Sequence, residues 1–190
     1  MPSQEHINKT IKYFNPGTGC PGGCLEAMFG VKDEVYDSML KETLNSLDFK
    51  KFEINKIGLD EDELQEIAPI YFHGYEHDGA RWRIGKDGRL RTSKYSATWL
   101  FFSGTQVYAY QYILDMASND KKERTEEYFY KDVTNFSTTT ETVGEGNQKR
   151  EINEFAIIVP GDRFKCSISG VPDADRSISA MKQKLREKKG

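Results

Sequence analysis

The chain is poor in cysteine, histidine, tryptophan and proline: its 190 residues include 3 Cys, 3 His, 2 Trp and 6 Pro. So few thiols exclude a disulfide-stapled scaffold, and their odd number fits a reducing compartment. Long apolar runs are absent too. The densest stretches, Trp99–Phe102 and Phe155–Val159, are about five residues each, against roughly 20 needed to span a bilayer as a helix. The opening MPSQEHINKTIKYF is polar and mixed in charge, with no apolar segment before a cleavage site, so no secretory signal is read. The final Lys-Lys-Gly is not a prenylation box. Neither sign of charge dominates, since Lys+Arg 27 against Asp+Glu 30 leaves a net charge of -3. This balance excludes a histone-like nucleic-acid binder and a disordered acidic tail. A cytoplasmic location is expected.

Aromatic residues are plentiful: 11 Phe and 10 Tyr argue against global disorder. The length suits one domain with an appendage and is enough to bury a core without staples. The period of the hydrophobic pattern divides the chain. Residues 1–67 read as helical, 69–168 as strands, and 173–188 as one closing helix.

In the helical part, Asn15-Pro16-Gly17 and Pro21-Gly22-Gly23 mark a loop. Asp33 is placed to cap a helix whose apolar face is Val35, Tyr36, Met39, Leu40, Leu44 and Leu47. Phe49, Phe52 and Ile57 extend the stripe to Gly58. Asp60 and Glu63 form a capping-box pattern for one more turn, which should end before Pro69.

Ile70–Tyr75, Arg81–Ile84 and Leu90–Lys94 then alternate as short strands, with Asp87-Gly88 as a hairpin turn. Tyr95, Ala97, Trp99 and Phe101 share one strand face. In the next strand Tyr108, Tyr110 and Tyr112 share one face, and Val107, Ala109 and Ile113 the other. Thr125–Lys131 and Asn135–Thr142 follow as strands, and Gly144–Arg150 as a polar loop. Phe155–Val159 and the alternation Phe164, Cys166, Ile168 complete the β part. In the closing helix Asp173 is the cap, and Ala174, Ile178, Met181 and Leu185 form a single apolar stripe.

Four features hold possible chemistry. Cys20-Pro-Gly-Gly-Cys24 offers two thiols, and His73 with His77 would complete a Cys2His2 zinc set if the loop folds back onto the first strand. The same string reads equally as a Gly/Pro turn with incidental thiols. Phe72–Gly79 groups imidazoles and carboxylates as an acid/base loop or as a polar hairpin end. Arg81, Arg83, Lys86, Arg89, Arg91 and Lys94 surround Trp82 with only Asp87 among them. They form an anion site, a guarded sheet edge, or partners for the acidic run Asp60, Glu61, Asp62, Glu63 and Glu66. Tyr108, Tyr110 and Tyr112, with Tyr128 and Tyr130 on a neighbouring strand, form an aromatic platform for a partner, or a face covered by helical residues 33–57. The motifs of covalent and phosphate chemistry are missing: no Gly-x-Ser-x-Gly, no His-Glu-x-x-His, no phosphate-cradling loop.

Antiparallel strands followed by one amphipathic helix resemble the pleckstrin-homology-like (PH-like) fold, in its bacterial forms of uncharacterised function. Three passages carry the resemblance. Ala97-Thr98-Trp99-Leu100-Phe101-Phe102 with Tyr108-Ala109-Tyr110 is similar to the early hairpin. Glu127–Thr134 is similar to the middle-strand step. Phe155–Val159, Gly161-Asp162, Phe164 and the last helix are similar to the final hairpin and cap. The resemblance implies an α+β chain: a PH-like antiparallel β-barrel or sandwich over 68–190, capped by the C-terminal helix, with 1–67 as an N-terminal loop and helical extension. It supplies a fold and no reaction.

The expectation is a non-enzymatic binding or scaffolding module with no cofactor. It would recognise a protein partner or an anionic ligand through its sheet surface and Arg81, Arg83, Arg89 and Arg91. The alternative is a small metal- or thiol-dependent enzyme using Cys20, Cys24, His73 and His77. No residue is assigned as catalytic, cofactor-binding or metal-binding.

Overall fold

The computed structural model describes residues 1–15, 30–47, 67–143 and 149–189. Cys20 and Cys24, both Gly/Pro strings from Pro16 onward, the stripe beyond Leu47, the acidic run 60–66 and most of the Gly144–Arg150 loop lie outside the described residues.

The elements in chain order are α1 (Gln4–Phe14), α2 (Asp33–Asn45), β1 (Ile67–Glu76), β2 (Trp82–Ile84), β3 (Leu90–Thr92), β4 (Lys94–Phe102), β5 (Gln106–Asp115), β6 (Lys121–Phe129), β7 (Asn135–Val143), β8 (Arg150–Val159), β9 (Asp162–Ser167) and α3 (Ala174–Lys189). The architecture is α+β. A four-stranded sheet runs β1-β4-β5-β6, a three-stranded sheet runs β7-β8-β9, and β2-β3 is a separate hairpin. Every strand pair is antiparallel. Gly88, with φ +77°, makes the Asp87-Gly88 turn of β2-β3.

The sheets do not close into a barrel. A barrel needs an unbroken ladder, whereas β1 meets the end of β9 through bonds such as Gly170 N–H to the His73 carbonyl (2.9 Å) and Tyr75 N–H to Ser169 Oγ (3.3 Å). The approach is close at Gly74, where a Cβ would strike the Ser167 and Ser169 hydroxyls.

Alternation sorts each strand into an inner and an outer face. On the inner side, Leu100 and Phe102 of β4, Val107 and Ala109 of β5, Phe155 and Ile157 of β8, and Phe164 and Cys166 of β9 form one core. The α3 stripe Ala174, Ile178, Met181 and Leu185 is buried in that core, as its spacing predicts. The outer faces of β4 and β5, with Tyr95, Trp99, Phe101, Tyr108, Tyr110 and Tyr112, pack under Tyr13 and Phe14 of α1 and Tyr36, Met39 and Leu40 of α2. The tyrosine face is therefore covered by helices rather than open. This explains why β5 is buried along both faces.

Three local expectations are corrected. Tyr128 and Tyr130 belong to the inner core, not to the tyrosine face. Tyr128 pairs with Val107, and alternation then puts it on the inner side. β1 begins at Ile67, ahead of Pro69. It is an edge strand with a register shift between Ile67 and Ile70, where a proline is tolerated. Asp33 is already helical and caps nothing; the N-cap of α2 is Lys32, without a side-chain bond. Among the described residues no helix is long and apolar enough to cross a membrane.

Between the two sheets, the end of the core away from the apolar cluster is polar. Ser96 and Thr98 are fully buried, and neither hydroxyl has a hydrogen-bond partner of good geometry. Glu76 Oε1 is in the same position. Burial pushes the Glu76 carboxyl above its usual range, against the pull of the Ser96 hydroxyl. An acid whose folded pKa is raised costs stability as pH climbs past its unfolded value, and the full cost stands above the folded pKa. Glu76→Gln should therefore leave stability at pH 4 unchanged and raise it at pH 8. Urea denaturation at the two pH values is the check, and equal effects at both would remove the account.

Candidate functional site

The site is assembled by a polar latch that fixes the helices on the sheet. Arg83 of β2 pairs with Arg91 of β3, so the two share one face of the hairpin, and this face is turned toward α1 and α2. Arg83 donates to the Tyr13 carbonyl at 2.8 Å, in the last turn of α1, where a cation also complements the helix dipole. Its guanidinium lies over the Tyr13 ring, 4.7 Å from the centroid. Arg81 reaches the Asn15 side-chain oxygen at 2.6 Å once that amide is oriented to satisfy both neighbours.

Arg91 is the centre of the latch. Its residue is 2% exposed. Nε and Nη2 grip both Asp37 oxygens at 2.7 and 2.8 Å, while Nη1 and Nη2 grip both Asp87 oxygens at 2.8 and 2.7 Å. The two bidentate pairs occupy four of the five guanidinium N–H groups, and Nη1 also reaches the Arg89 carbonyl at 3.5 Å. The bonds from Asp37 and Asp87 raise the Arg91 pKa, and the bond from Arg91 holds Asp87 well below the usual carboxylate range. Asp33 adds a second tie, accepting from the Tyr13 hydroxyl (2.8 Å) and the Lys86 N–H (2.7 Å). Burial works against its ionisation, but these bonds and the nearby arginines outweigh it, so its pKa is lowered. Gly85 makes the packing possible, because a Cβ there would strike Arg91 Nη1 and sit 2.7 Å from both Asp33 Oδ2 and Asp87 Oδ1.

The latch sets α2 beside β1 and leaves a cleft of about 850 Å³ between them. Its floor is the outer face of β1, Tyr71, His73 and Tyr75, with Tyr95 of β4. Its wall is the α2 side with Leu40, Lys41 and Leu44, continued by Leu47. Asp37, Arg89 and Arg91 line it as well.

Tyr71, Trp99 and Tyr110 stand side by side across β1, β4 and β5, because the register aligns Tyr71 with Trp99 and Trp99 with Tyr110. The centroids are 4.8 and 5.8 Å apart. Tyr71 supplies the ring of this row on the edge strand β1 and is 39% exposed. His73 stacks against it at 5.0 Å and shares a 2.6 Å hydrogen bond between Nδ1 and the Tyr95 hydroxyl. Burial lowers the His73 pKa and pushes Tyr95 up, so both are neutral at pH 7.

Arg83 and Arg91 are spent on the latch. Arg89 remains 79% exposed at its side chain, 3.8 Å from Asp87. The partners of Arg91 are Asp37 and Asp87, one on α2 and one in its own turn. His73 and His77 face different neighbours: His73 meets Tyr71 and Tyr95, while His77 feels the carboxylates of Glu154 and Glu141. Four strand residues span about 13 Å, which opposes a shared ion. Among the described residues no three His, Cys, Asp or Glu side chains form a metal-binding group. Cys166 is 2% exposed, and burial pushes its thiol up, away from the reactive thiolate.

The cleft itself was missed by sequence reasoning. A signal existed in Tyr71-Phe72-His73-Gly74-Tyr75, a period-two aromatic row on the same side as Tyr95 and Trp99. No family model, curated protein or solved structure matches the chain.

Proposed function

We propose that the chain is a non-enzymatic binding module of PH-like layout, with 68–190 as the PH-like unit and 1–67 as its extension. Its ligand site is the cleft between α2 and β1. One observation carries this reading: a cleft floored by the aromatic side chains Tyr71, His73, Tyr75 and Tyr95, beside an apolar helix wall that the Arg91 latch holds in place. A volume near 850 Å³ lies within the range of small-ligand sites, which are mostly apolar with a few placed polar groups. The free, buried Cys166 and the odd cysteine count favour a reducing compartment such as the cytoplasm.

A thermal-shift screen of small organic compounds tests the site. Compounds that raise the Tm of the wild-type protein should lose most of that effect in Tyr71→Ala. They should keep it in Phe129→Ala, which removes an apolar side chain exposed elsewhere. Compounds insensitive to Tyr71→Ala, or no compound that binds at all, would rule the cleft out as the ligand site.

A further inference from the structure

Resting on the cleft as the ligand site, we infer that ligand binding there and proton uptake by His73 exclude one another, so that acid empties the cleft.

His73 is closely seated. Tyr71 stacks on its ring with the centroids 5.0 Å apart, and the Tyr95 ring lies tilted at 6.0 Å. Gly170 crowds another edge of the ring: a Cβ there would strike Nδ1 and Cε1, and the Gly170 N–H donates to the His73 carbonyl at 2.9 Å. Nδ1 shares its 2.6 Å hydrogen bond with the Tyr95 hydroxyl. The half-buried ring also lines the cleft. A ligand in the cleft therefore takes water from a ring that two aromatic side chains and a backbone turn already crowd.

Lost water penalises the imidazolium far more than the neutral ring. Burial already lowers the His73 pKa in the unliganded protein. An uncharged ligand adds to that cost and brings no charge to offset it, so the bound state holds the proton less well than the free state. Above the free-state pKa the ring is neutral throughout and affinity is full. Below it the ring must shed its proton before ligand enters, and affinity falls by about tenfold per pH unit until the bound-state pKa is reached. The coupling is reciprocal, so bound ligand lowers the His73 pKa further. Among the described residues, the titratable and charged groups lining the cleft with His73 are Tyr71 and Tyr75 on its own strand, Tyr95 on β4, Asp37 and Lys41 on α2, and Arg89 and Arg91 of the hairpin. Burial pushes Tyr75 and Tyr95 up, so they stay neutral as pH falls. Asp37 has both oxygens on Arg91, and its charge already answers that cation. The turn after β9 meets the ring with Gly170, which does not titrate.

The probe is 2-naphthamide, an aromatic amide that carries no charge between pH 7.5 and 4.5, so any pH dependence belongs to the protein. Calorimetric titration over the part of that range where circular dichroism shows the fold intact should give full affinity at pH 7.5. Below the His73 pKa it should give a fall of about tenfold per pH unit. Imidazole NMR reads that pKa in a chain with 3 His, the His73 signal being the one lost in His73→Gln. Added probe should lower it. In His73→Gln, whose amide does not titrate, binding should keep one strength across the range. An affinity flat with pH in the wild type, or a His73 pKa that bound probe leaves unmoved, overturns the coupling while leaving the cleft as the ligand site. A pH dependence that survives in His73→Gln overturns the assignment to His73. No binding at any pH, or chemical-shift perturbations that avoid Leu40 and Leu44, overturns the cleft itself and the inference with it.

Discussion

Arg91→Ala should lower unfolding stability by about 3 kcal/mol, toward the low end of the 3–5 kcal/mol cost of removing one partner from a buried ion pair. The loss has two sources. Asp37 and Asp87 keep their desolvation without their counter-charge, and the helices lose the tie that orients them on the sheet. The low end applies because the carboxylates are about two-fifths exposed, at 41% and 39%, and regain some water when the guanidinium goes. For a chain of this size the loss corresponds to a fall in Tm of roughly 6–12 °C. Arg91→Lys should recover only part of it, since an ammonium keeps the charge but cannot serve two bidentate partners. Urea denaturation of Arg91→Ala, Asp37→Ala and the double variant gives the coupling directly. A coupling energy near zero would show that the latch contributes nothing.

Phe155→Ala should be at least as severe, costing about 3–5 kcal/mol as expected for deleting a fully buried aromatic side chain. Phe155 lies on β8, is fully buried, and touches rings from both sheets: Phe72 of β1 at 5.3 Å and Phe136 of β7 at 5.9 Å. With no barrel ladder to hold the sheets together, this inner packing is their principal link. Phe155→Leu keeps most of the volume and should cost much less. If Phe155→Ala shifts the denaturation midpoint by less than the equivalent of about 1 kcal/mol, the two sheets do not share one core.

Much of the fold was legible because it rests on period. The stripe Ile178, Met181, Leu185 and the alternation of Tyr108, Tyr110, Tyr112 against Val107 and Ala109 each specify a buried face from local spacing alone. Register was not legible. Nothing local says that Tyr128 pairs with Val107 and not one residue along, and that single step decides which face it joins. The arginine hairpin failed for a related reason. Its shared face was readable, but whether that face meets solvent or a helix depends on where α1 and α2 land. The carboxylates that answer Arg91 are Asp37, far off in sequence, and Asp87 in the turn. The cleft is the least local feature of all, since it is the space left between two elements once the latch has placed them.

The central claim is that ligand enters between α2 and β1, and chemical-shift mapping reads it most directly. Isotope-labelled protein titrated with a compound that raises its Tm should show its largest perturbations at Tyr71, His73, Leu44 and Arg89. Perturbations centred on Trp82 of the hairpin or Phe129 of β6, with Tyr71 and His73 unmoved, would contradict it.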